Sequence, residues 1–407
     1  MKILDMITPG ALLVAGQVLG EPTALLDALF DERLPDVRLF AGMSLTSVLK
    51  RAPAEVSLLS FVGMGANAKL LAQGRLSLIP CHMSELSASM TAGPLRPDVA
   101  LVLVSPPDSN GMCSLGVASD YIWPAVAAAP VVLAELNENV PRIEGDTGIP
   151  FDRFDGIVES DRKLPDYPRS RPSDTEELIA KRVAEFVREG SCIQIGVGKL
   201  GDAVLAAAAD RRELGVHTGM VGETILELVR DGVITNARKT VDPGLTVAGS
   251  ILGGPDAVTL AAATPGLRLR SVDYTHSAAV ISSIDDFLSV NSAMEVDLFG
   301  QVNAEVAGGR YLGGIGGSVD YLRPAVRATG GRAVIALPAT ARGGISRIVA
   351  RVERVTVARS DVDVVVTECG VAELRGRSEG ERAKRLIEIA APQHRDGLRE
   401  AARELGL

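Results

Sequence analysis

Short apolar runs bounded by glycine, proline and small polar residues recur along the chain. The clearest in the first half are Val56–Val62, Asp98–Val104 and Val131–Glu135. Asp98–Val104 is almost uninterrupted by polar residues, as is typical of a parallel strand covered by helices on both faces. Helical patterns such as Thr23–Phe30 separate the runs. Strands that alternate with helices at this spacing predict an α/β fold with a mainly parallel sheet.

The best linker is residues 160–172, which contain three prolines, several charges and almost no apolar residues. Ser173 and Glu176 follow it with the S-x-x-E spacing of a capping box, so a helix is predicted to begin there. The predicted organisation is therefore an amino-terminal domain at 1–165, a linker at 166–172 and a carboxy-terminal domain at 173–407.

The second domain repeats the α/β pattern. Ala333–Leu337 and Val362–Thr367 are predicted to be buried strands, and Glu381–Ala390 is predicted to be a helix. Phe287–Leu298 alternates in character and is predicted to be a single strand. The sequence has no short-period repeat and no low-complexity segment, and the α/β pattern of both halves leaves an internal duplication open.

A glycine-rich turn lies inside the stretch Ser191–Glu223. An apolar strand leads into Gly196, Gly198 and Gly201, and a helix is predicted over roughly Asp202–Asp210. Such a unit places backbone N–H groups and a helix N-terminus at the carboxyl end of a strand, where anionic or acyl ligands bind in α/β folds.

The glycine spacing matches the G-x-G-x-x-G dinucleotide fingerprint, which is weak evidence alone. That fingerprint needs an acidic residue at the end of the next strand to bind a ribose hydroxyl. Here the strand ends at His217-Thr218-Gly219, and Glu223 lies beyond it. A turn that serves another ligand, or that serves packing alone, is therefore favoured over a nicotinamide site.

The composition limits the functions that this protein could have. The chain has 407 residues, enough for about two or three domains, with 46% hydrophobic and 23% charged residues, a net charge of −9 and a pI near 5.2. No basic stripe is present, so we expect no nucleic-acid partner. An anionic ligand would have to be bound by local glycine turns and a few Arg or Lys side chains.

Cysteines and histidines do not form metal-binding patterns. Four of each are dispersed without a CxxC or a Cys/His pairing at metal spacing: Cys81, Cys113, Cys192, Cys369, His82, His217, His276 and His394. We therefore expect no metal site and reduced thiols in a cytoplasmic protein. The amino-terminal sixteen residues make a poor signal peptide, and no apolar run approaches the ~18–20 residues that span a bilayer, so no membrane association is expected.

Motifs of common enzyme classes are missing from the sequence. It contains no P-loop, GxSxG, HExxH or Cys/His dyad pattern, which lowers the expectation of the hydrolases, kinases and metalloproteases that carry them. Polar candidates beside glycine turns are Glu85, Glu223, His276, Glu295, Asp297, Glu305 and Glu368. On composition alone, each of these is more typical of a surface or salt-bridged residue.

The order of longer motifs carries more information. The first half contains GRLSLIPCHMSEL, PDVALVLVSPPDSNGMCSLGVASDY and AELNENVPRIEGDTGIP, and the second contains IQIGVGKLGDAVL, GVHTGM, GVITNARKT, NSAMEVDLFGQVNAE, GGIGGSVDYLR and VVTECGVAELRGRSEGERA. In this order they resemble the acetyl-CoA hydrolase and 4-hydroxybutyrate CoA-transferase family over nearly the whole chain.

The resemblance implies two CoA-transferase-type α/β domains with an active-site cleft between them. It implies coenzyme A or an acyl-CoA as substrate, a small-molecule acceptor, no permanently bound cofactor and a homodimer. The turn at Gly196 and Gly198 would then lie beside the bound CoA. Most active-site residues would come from the carboxy-terminal domain.

The sequence departs from the family at the nucleophile. In the family, a glutamate in an H-T-E-M segment attacks the acyl-CoA carbonyl and forms covalent intermediates. Here the segment is His217-Thr218-Gly219-Met220, so Gly219 occupies the position of the glutamate. His276 replaces an asparagine of an Asn-Asn-Pro-like turn.

Other family positions are retained. Gly316 and Gly317, whose backbone amides form part of the acyl and oxyanion site in relatives, are present. Glu368 is also present, in a T-E-x-G segment whose glutamate lines the same cleft in relatives.

Three hypotheses follow. His276, whose ordinary pKa is near neutral, acts as general base for direct attack on the thioester while the glycine amides stabilise the oxyanion, giving hydrolysis, acyl transfer or cyclisation. Alternatively, Glu223 or another carboxylate replaces the nucleophile and CoA transfer survives, which requires a remodelled loop. In the third hypothesis the protein is inactive and binds CoA or a partner, and His276 is a packing residue.

Overall fold

A computed structural model describes residues 3–32 and 34–407 of the chain. The strands in chain order are β1 Leu12–Ala15, β2 Val37–Ala41, β3 Val56–Ser60, β4 Leu76–Leu78, β5 Val99–Val104, β6 Met112–Ser114, β7 Val131–Asn137, β8 Gly148–Pro150, β9 Gly156–Ser160, β10 Cys192–Ile195, β11 Gly215–Val216, β12 Met220–Val221, β13 Thr246–Ala248, β14 Ser250–Ile251, β15 Leu267–Leu269, β16 Phe287–Ser292, β17 Glu295–Asp297, β18 Val302–Asn303, β19 Val306–Ala307, β20 Arg310–Tyr311, β21 Arg332–Ala336, β22 Ile348–Val349, β23 Val364–Thr367 and β24 Gly370–Glu373.

Helices lie between some of these strands and after the last one. They are α1 Thr23–Asp31, α2 Asn67–Ala72, α3 Glu85–Thr91, α4 Ile122–Ala128, α5 Asp174–Ala184, α6 Lys199–Ala207, α7 Glu223–Arg230, α8 Pro255–Ala262, α9 Val272–Thr275, α10 Ala278–Ser282, α11 Ser318–Ala325, α12 Glu379–Ile389 and α13 Arg395–Glu404. Within the part of the chain that the structure describes, no helix is both long and apolar enough to cross a membrane.

Two compact units make up the chain. The first contains the chain up to Pro168 together with Gly219–Leu226 and Val247–Ser277. The second contains Arg169–Thr218, Glu227–Thr246 and Ala278–Leu407. Two segments that follow the linker in sequence, 219–226 and 247–277, therefore pack with the first unit.

The first unit is built on a seven-stranded sheet in the order β4-β3-β2-β1-β5-β7-β9. Every neighbouring pair of its strands is parallel. All six residues of β5 are buried, as predicted from the apolar run there. The chain runs from β1 towards β4 and then returns to the other side at β5, so the carboxyl ends of β1 and β5 flank a topological switch point, where ligands commonly bind in such sheets.

The second unit contains a six-stranded sheet in the order β11-β10-β16-β21-β23-β24. Its pairs are parallel except for β23 with β24, which is antiparallel. The switch point of this sheet lies between β10 and β16. The α/β class with mainly parallel sheets, predicted from the alternating pattern, is confirmed.

Two local predictions were wrong. The helix after the glycine turn begins at Lys199, three residues before the predicted start, because Gly198 adopts φ +124° as its N-cap and the chain enters the helix at once. The predicted single strand at 287–298 is two strands, β16 and β17, because the chain leaves the parallel sheet after Ser292 and β17 joins β18 and β22.

The capping box at the start of α5 is confirmed. The Ser173 hydroxyl accepts the N–H of Glu176, while the Glu176 carboxylate accepts the N–H of Ser173 at 2.8 Å. Reciprocal bonds of this kind satisfy two donors that a helix start leaves without partners. They explain why the helix begins directly after the proline-rich segment.

A buried carboxylate anchors the first helix to the first sheet. Glu135 of β7 is fully buried and accepts the backbone N–H groups of Ala24 and Leu25 at 2.7 and 3.2 Å, at the N-terminus of α1. Its other oxygen accepts the Ser160 hydroxyl and the Arg162 Nε, both at 2.7 Å. Negative charge at a helix N-terminus is favourable, and here it is also paired.

We expect Glu135→Gln to lower the free energy of unfolding by about 2 to 4 kcal/mol, because a neutral amide must turn an N–H group towards donors and leaves Arg162 without its counter-charge. Denaturant unfolding measures this change. Glu159→Gln, on the exposed side of β9, is the matched control and should stay within about 0.5 kcal/mol of the wild type. Equal stability of the two variants would contradict the anchoring role.

Candidate active-site residues

Gly219 lies at the start of a short strand in the first unit. Its carbonyl accepts the backbone N–H groups of Gly249 and Ser250 at 2.9 and 3.1 Å. These bonds continue into the parallel pairing of Met220–Val221 with Ser250–Ile251. The position predicted to lack the family nucleophile is therefore held by backbone hydrogen bonds.

Gly249 lies against this carbonyl with no room for a side chain. A Cβ there would stand 2.9 Å from the Gly219 oxygen, 3.5 Å from the Asp120 Cβ and 3.6 Å from the Thr275 Oγ1. The Gly249 carbonyl in turn accepts the N–H groups of Ser119 and Asp120 at 2.9 and 3.2 Å. The glycine thus lets three chain segments converge.

His276 belongs to the same cluster. It is the C-cap of α9, the four-residue helix Val272–Thr275, and only 6% of its surface is exposed. Its Nδ1 lies 2.9 Å from the Thr275 Oγ1. The Val272 N–H donates to the Asp120 carbonyl at 3.0 Å, which ties this helix to the segment beside Gly249.

The entry to α9 is fixed by a carboxylate. Asp146 Oδ2 accepts both the Ser271 N–H and the Arg270 Nε at 3.0 Å. The Ser119 hydroxyl donates to the Asp146 carbonyl at 2.6 Å. The turn that carries His276 is therefore bound on two sides within the first unit.

Glu223 is the first residue of α7. Its Oε1 accepts the N–H of Gly254 at 3.1 Å, and Gly254 is the N-cap of α8. A carboxylate at helix N-termini is stabilised by their positive dipole ends. This contact gives Glu223 a structural role at the ends of two helices.

The sequence did not predict two buried carboxyl groups that lie near the carboxyl end of β1. Asp120 is 1% exposed and accepts the Gln17 Nε2 at 2.8 Å, and burial raises its pKa to about 6. Glu21 is 1% exposed and accepts the Thr46 hydroxyl at 2.8 Å, and burial raises its pKa as well. Gln17 follows β1, so Asp120 lies beside the switch point of the first sheet.

Gly196 and Gly198 lie at the switch point of the second sheet, directly after β10. Gly198 has φ +124°, which favours glycine, and no atom lies within 4 Å of its Cβ position. A Cβ on Gly196 would stand 3.7 Å from the Asn291 Oδ1 of β16. The turn then enters α6, whose N-terminus offers the N–H groups typical of an anion site.

Gly316 and Gly317 precede α11 in the second unit. Gly316 has φ +55° with no atom within 4 Å of its Cβ position, and Gly317 is the N-cap of Ser318–Ala325. The first N–H groups of a helix have no partner within that helix. Their use for an oxyanion stays a prediction.

Glu368 follows β23 in the second unit. Its Oε2 accepts the Ala339 N–H at 2.8 Å, so the carboxylate is held at the end of the next strand in the sheet. Arg347 is half-buried, and its loss of hydration lowers its pKa while Glu295, Glu176 and Glu368 act in the opposite direction. Arg347 and these glutamates are therefore close enough to interact electrostatically.

The structure brings together only part of the predicted set. Gly219, Glu223 and His276 belong to the first unit, where Gly219 bonds to Gly249 and the Thr275 hydroxyl, which contacts His276, lies 3.6 Å from the Cβ position of Gly249. The second unit contains Gly196, Gly198, Gly316, Gly317 and Glu368. Among the described residues, no group of three His, Cys, Asp or Glu side chains is arranged to bind a metal ion.

Comparison with known proteins gives consistent matches. Residues 2–165 match the acetyl-CoA hydrolase/transferase N-terminal domain, and residues 256–402 match the corresponding C-terminal domain. The chain is 39% identical to a 4-hydroxybutyrate coenzyme A transferase of Clostridium kluyveri over 83% of this chain and 80% of that protein.

Solved structures agree over almost the full length. RipA from Yersinia pestis superposes with a TM-score of 0.93 at 32% identity, covering 98% of this chain and 95% of that one. A 4-hydroxybutyrate CoA-transferase from Porphyromonas gingivalis superposes with a TM-score of 0.84 at 32% identity, covering 99% and 96%.

Asp120 makes a pH-dependent contribution to stability. Its pKa rises from 3.8 to about 6 on folding, so between these values the folded protein binds more protons than the unfolded chain. The stability from this group therefore falls as the pH rises. Relative to Asp120→Asn, we expect the wild-type free energy of unfolding to fall by about 2 kcal/mol between about pH 4.5 and pH 7.5.

Denaturant unfolding across this pH range measures the difference. Asp152→Asn, an exposed aspartate of the same unit, is the matched control and should run parallel to the wild type. If the difference between wild type and Asp120→Asn does not change with pH, Asp120 is not held in a desolvated site.

Proposed function

This chain belongs to the acetyl-CoA hydrolase/transferase family and acts on acyl-CoA, and we propose that within the family it attacks the thioester directly. His276 is the general base, and no covalent acyl-enzyme forms. The acceptor is water, giving hydrolysis, or a hydroxyl or amine, giving acyl transfer or cyclisation. A cytoplasmic homodimer stays a prediction from the sequence.

The cluster around Gly249 carries this proposal. Gly219 has no side chain to attack a carbonyl, and the cluster around Gly249 contains the His276 imidazole, which lies against the Thr275 hydroxyl. An unperturbed imidazole has a pKa near neutrality and suits proton transfer, whereas an amide has no comparable basicity. Replacement of a nucleophile by a base therefore favours a change of mechanism over loss of activity.

The proposed reaction balances without a cofactor. His276 removes a proton from the acceptor as its oxygen or nitrogen bonds to the thioester carbon, and the carbonyl oxygen takes the negative charge. The carbon–sulfur bond then breaks, and the imidazolium returns the proton to the CoA thiolate. Gly316 and Gly317 remain our proposed N–H donors to the oxyanion, and Gly196 and Gly198 our proposed CoA contacts.

CoA transfer through a carboxylate is the second candidate. It is supported by the name of the Clostridium kluyveri relative, a coenzyme A transferase. Glu223 is the nearest carboxylate in sequence to Gly219, but its Oε1 already binds the Gly254 N–H. Nucleophilic attack would have to come from the other oxygen or break this bond, and catalysis is sensitive to shifts of about 1 Å.

We expect His276→Ala and His276→Asn to lower kcat for acyl-CoA consumption by about 10²-fold or more, because each removes the general base. The Asn variant restores the polar residue that the family resemblance implies at this position. Thermal stabilisation by CoA should be unchanged in both variants. Retention of more than a third of the wild-type kcat by His276→Asn would contradict the role.

Trapping tests the covalent alternative in the same samples. The protein is incubated with an acyl-CoA and hydroxylamine or borohydride, and its intact mass is measured. Direct attack predicts turnover without an adduct. An adduct that maps to Glu223 would support transfer and overturn direct attack.

A further inference from the structure

The Thr275 hydroxyl contacts two groups at once. Its Oγ1 donates to the Ser271 carbonyl at 3.1 Å and lies 2.9 Å from the His276 Nδ1. Bonding of a threonine hydroxyl to the carbonyl four residues earlier is a common arrangement in helices. A hydroxyl has a single hydrogen and two acceptor lone pairs, so it can donate to only one of these groups.

The carbonyl is the fixed acceptor of the pair. The Ser271 carbonyl has no hydrogen to give and also accepts the N–H groups of Thr275 and Tyr274 at 3.0 and 3.1 Å. When the hydroxyl donates to Ser271, the Thr275 oxygen can serve His276 only as an acceptor. The Nδ1 of His276 must then carry the hydrogen.

We propose that Thr275 is a positioning residue that holds neutral His276 with its hydrogen on Nδ1 and its lone pair on Nε2. This inference rests on the proposed function, in which Nε2 is the atom that takes the proton. The tautomer is set before the substrate binds, as it is when a histidine base is oriented by a partner on its other nitrogen.

Burial supports a single arrangement. Thr275 is fully buried and His276 is 6% exposed, so solvent competes weakly for their hydrogen bonds. The Val272 N–H, which belongs to the same peptide group as the Ser271 carbonyl, donates to the Asp120 carbonyl at 3.0 Å and so helps to fix the acceptor of the Thr275 hydroxyl. When Nε2 gains the acceptor's proton, Nδ1–H keeps its bond to Thr275, so no group has to reorient during proton transfer.

The tautomer can be measured without any turnover. The protein has four histidines, so selective ¹⁵N-histidine labelling and long-range ¹H–¹⁵N NMR resolve each ring, and His276→Asn assigns the signal. For neutral His276 we expect a protonated Nδ1 and an unprotonated Nε2 in the wild type and in Thr275→Ser. An unprotonated Nδ1 in the wild type would overturn the proposal.

Thr275→Val removes the hydroxyl at nearly constant shape, and Thr275→Ser keeps it. We expect Thr275→Val to shift the His276 ring towards the other tautomer and to lower kcat by about tenfold, the order that one neutral hydrogen bond supplies. KM should be unchanged. Thr275→Ser should keep kcat within about twofold of the wild type.

The two readouts separate two kinds of failure. If the wild type shows the expected tautomer but turns over no acyl-CoA, direct attack is contradicted. The role of Thr275 in setting the His276 tautomer still holds in that case. Unchanged His276 ring signals in folded Thr275→Val would overturn the positioning role of Thr275, whatever the activity. Equal losses of kcat in Thr275→Val and Thr275→Ser would show that packing, and not the hydroxyl, supports His276.

Discussion

The close approach of Gly249 to the Gly219 carbonyl is the constraint on which the proposed site depends. A single methyl group at 249 would stand 2.9 Å from that oxygen, closer than side-chain carbons normally come. The absence of a side chain at Gly249 lets the Asp120 Cβ and the Thr275 hydroxyl approach the same point. The hydrogen bonds that hold Gly219 and the helix that ends at His276 are therefore parts of one packed arrangement.

Within this arrangement, the chemistry follows from which side chains are present. A carboxylate nucleophile lets a CoA-transferase divide acyl exchange into covalent steps. A glycine cannot do so, and a histidine base contributes about 10² to 10⁴-fold to a direct attack. The buried Asp120 adds a desolvated carboxyl group that lowers stability near neutral pH, as is common where groups are arranged for function.

The fold was largely predictable, and the site only in part. The uninterrupted apolar run at 98–104 and the Ser173/Glu176 spacing predict a buried strand and a helix start because both depend on local physics. The predicted start of α6 was wrong because Gly198 adopts a backbone conformation that the pattern of hydrophobic and polar residues does not reveal. The site also depends on the close approach of Gly219, Asp120 and Thr275, which are more than 50 residues apart in the sequence. Only the tertiary structure shows that these segments converge.

The origin of the oxygen in the first product molecule tests direct attack most directly. A single turnover of a simple acyl-CoA in H₂¹⁸O, with protein in excess, should give a carboxylic acid that contains one oxygen from the solvent. A covalent route would release the first acid with an oxygen from a protein carboxylate, because CoA attacks the glutamyl carbon of the mixed anhydride. Unlabelled acid in that first turnover would contradict the role of His276 as the base that activates water.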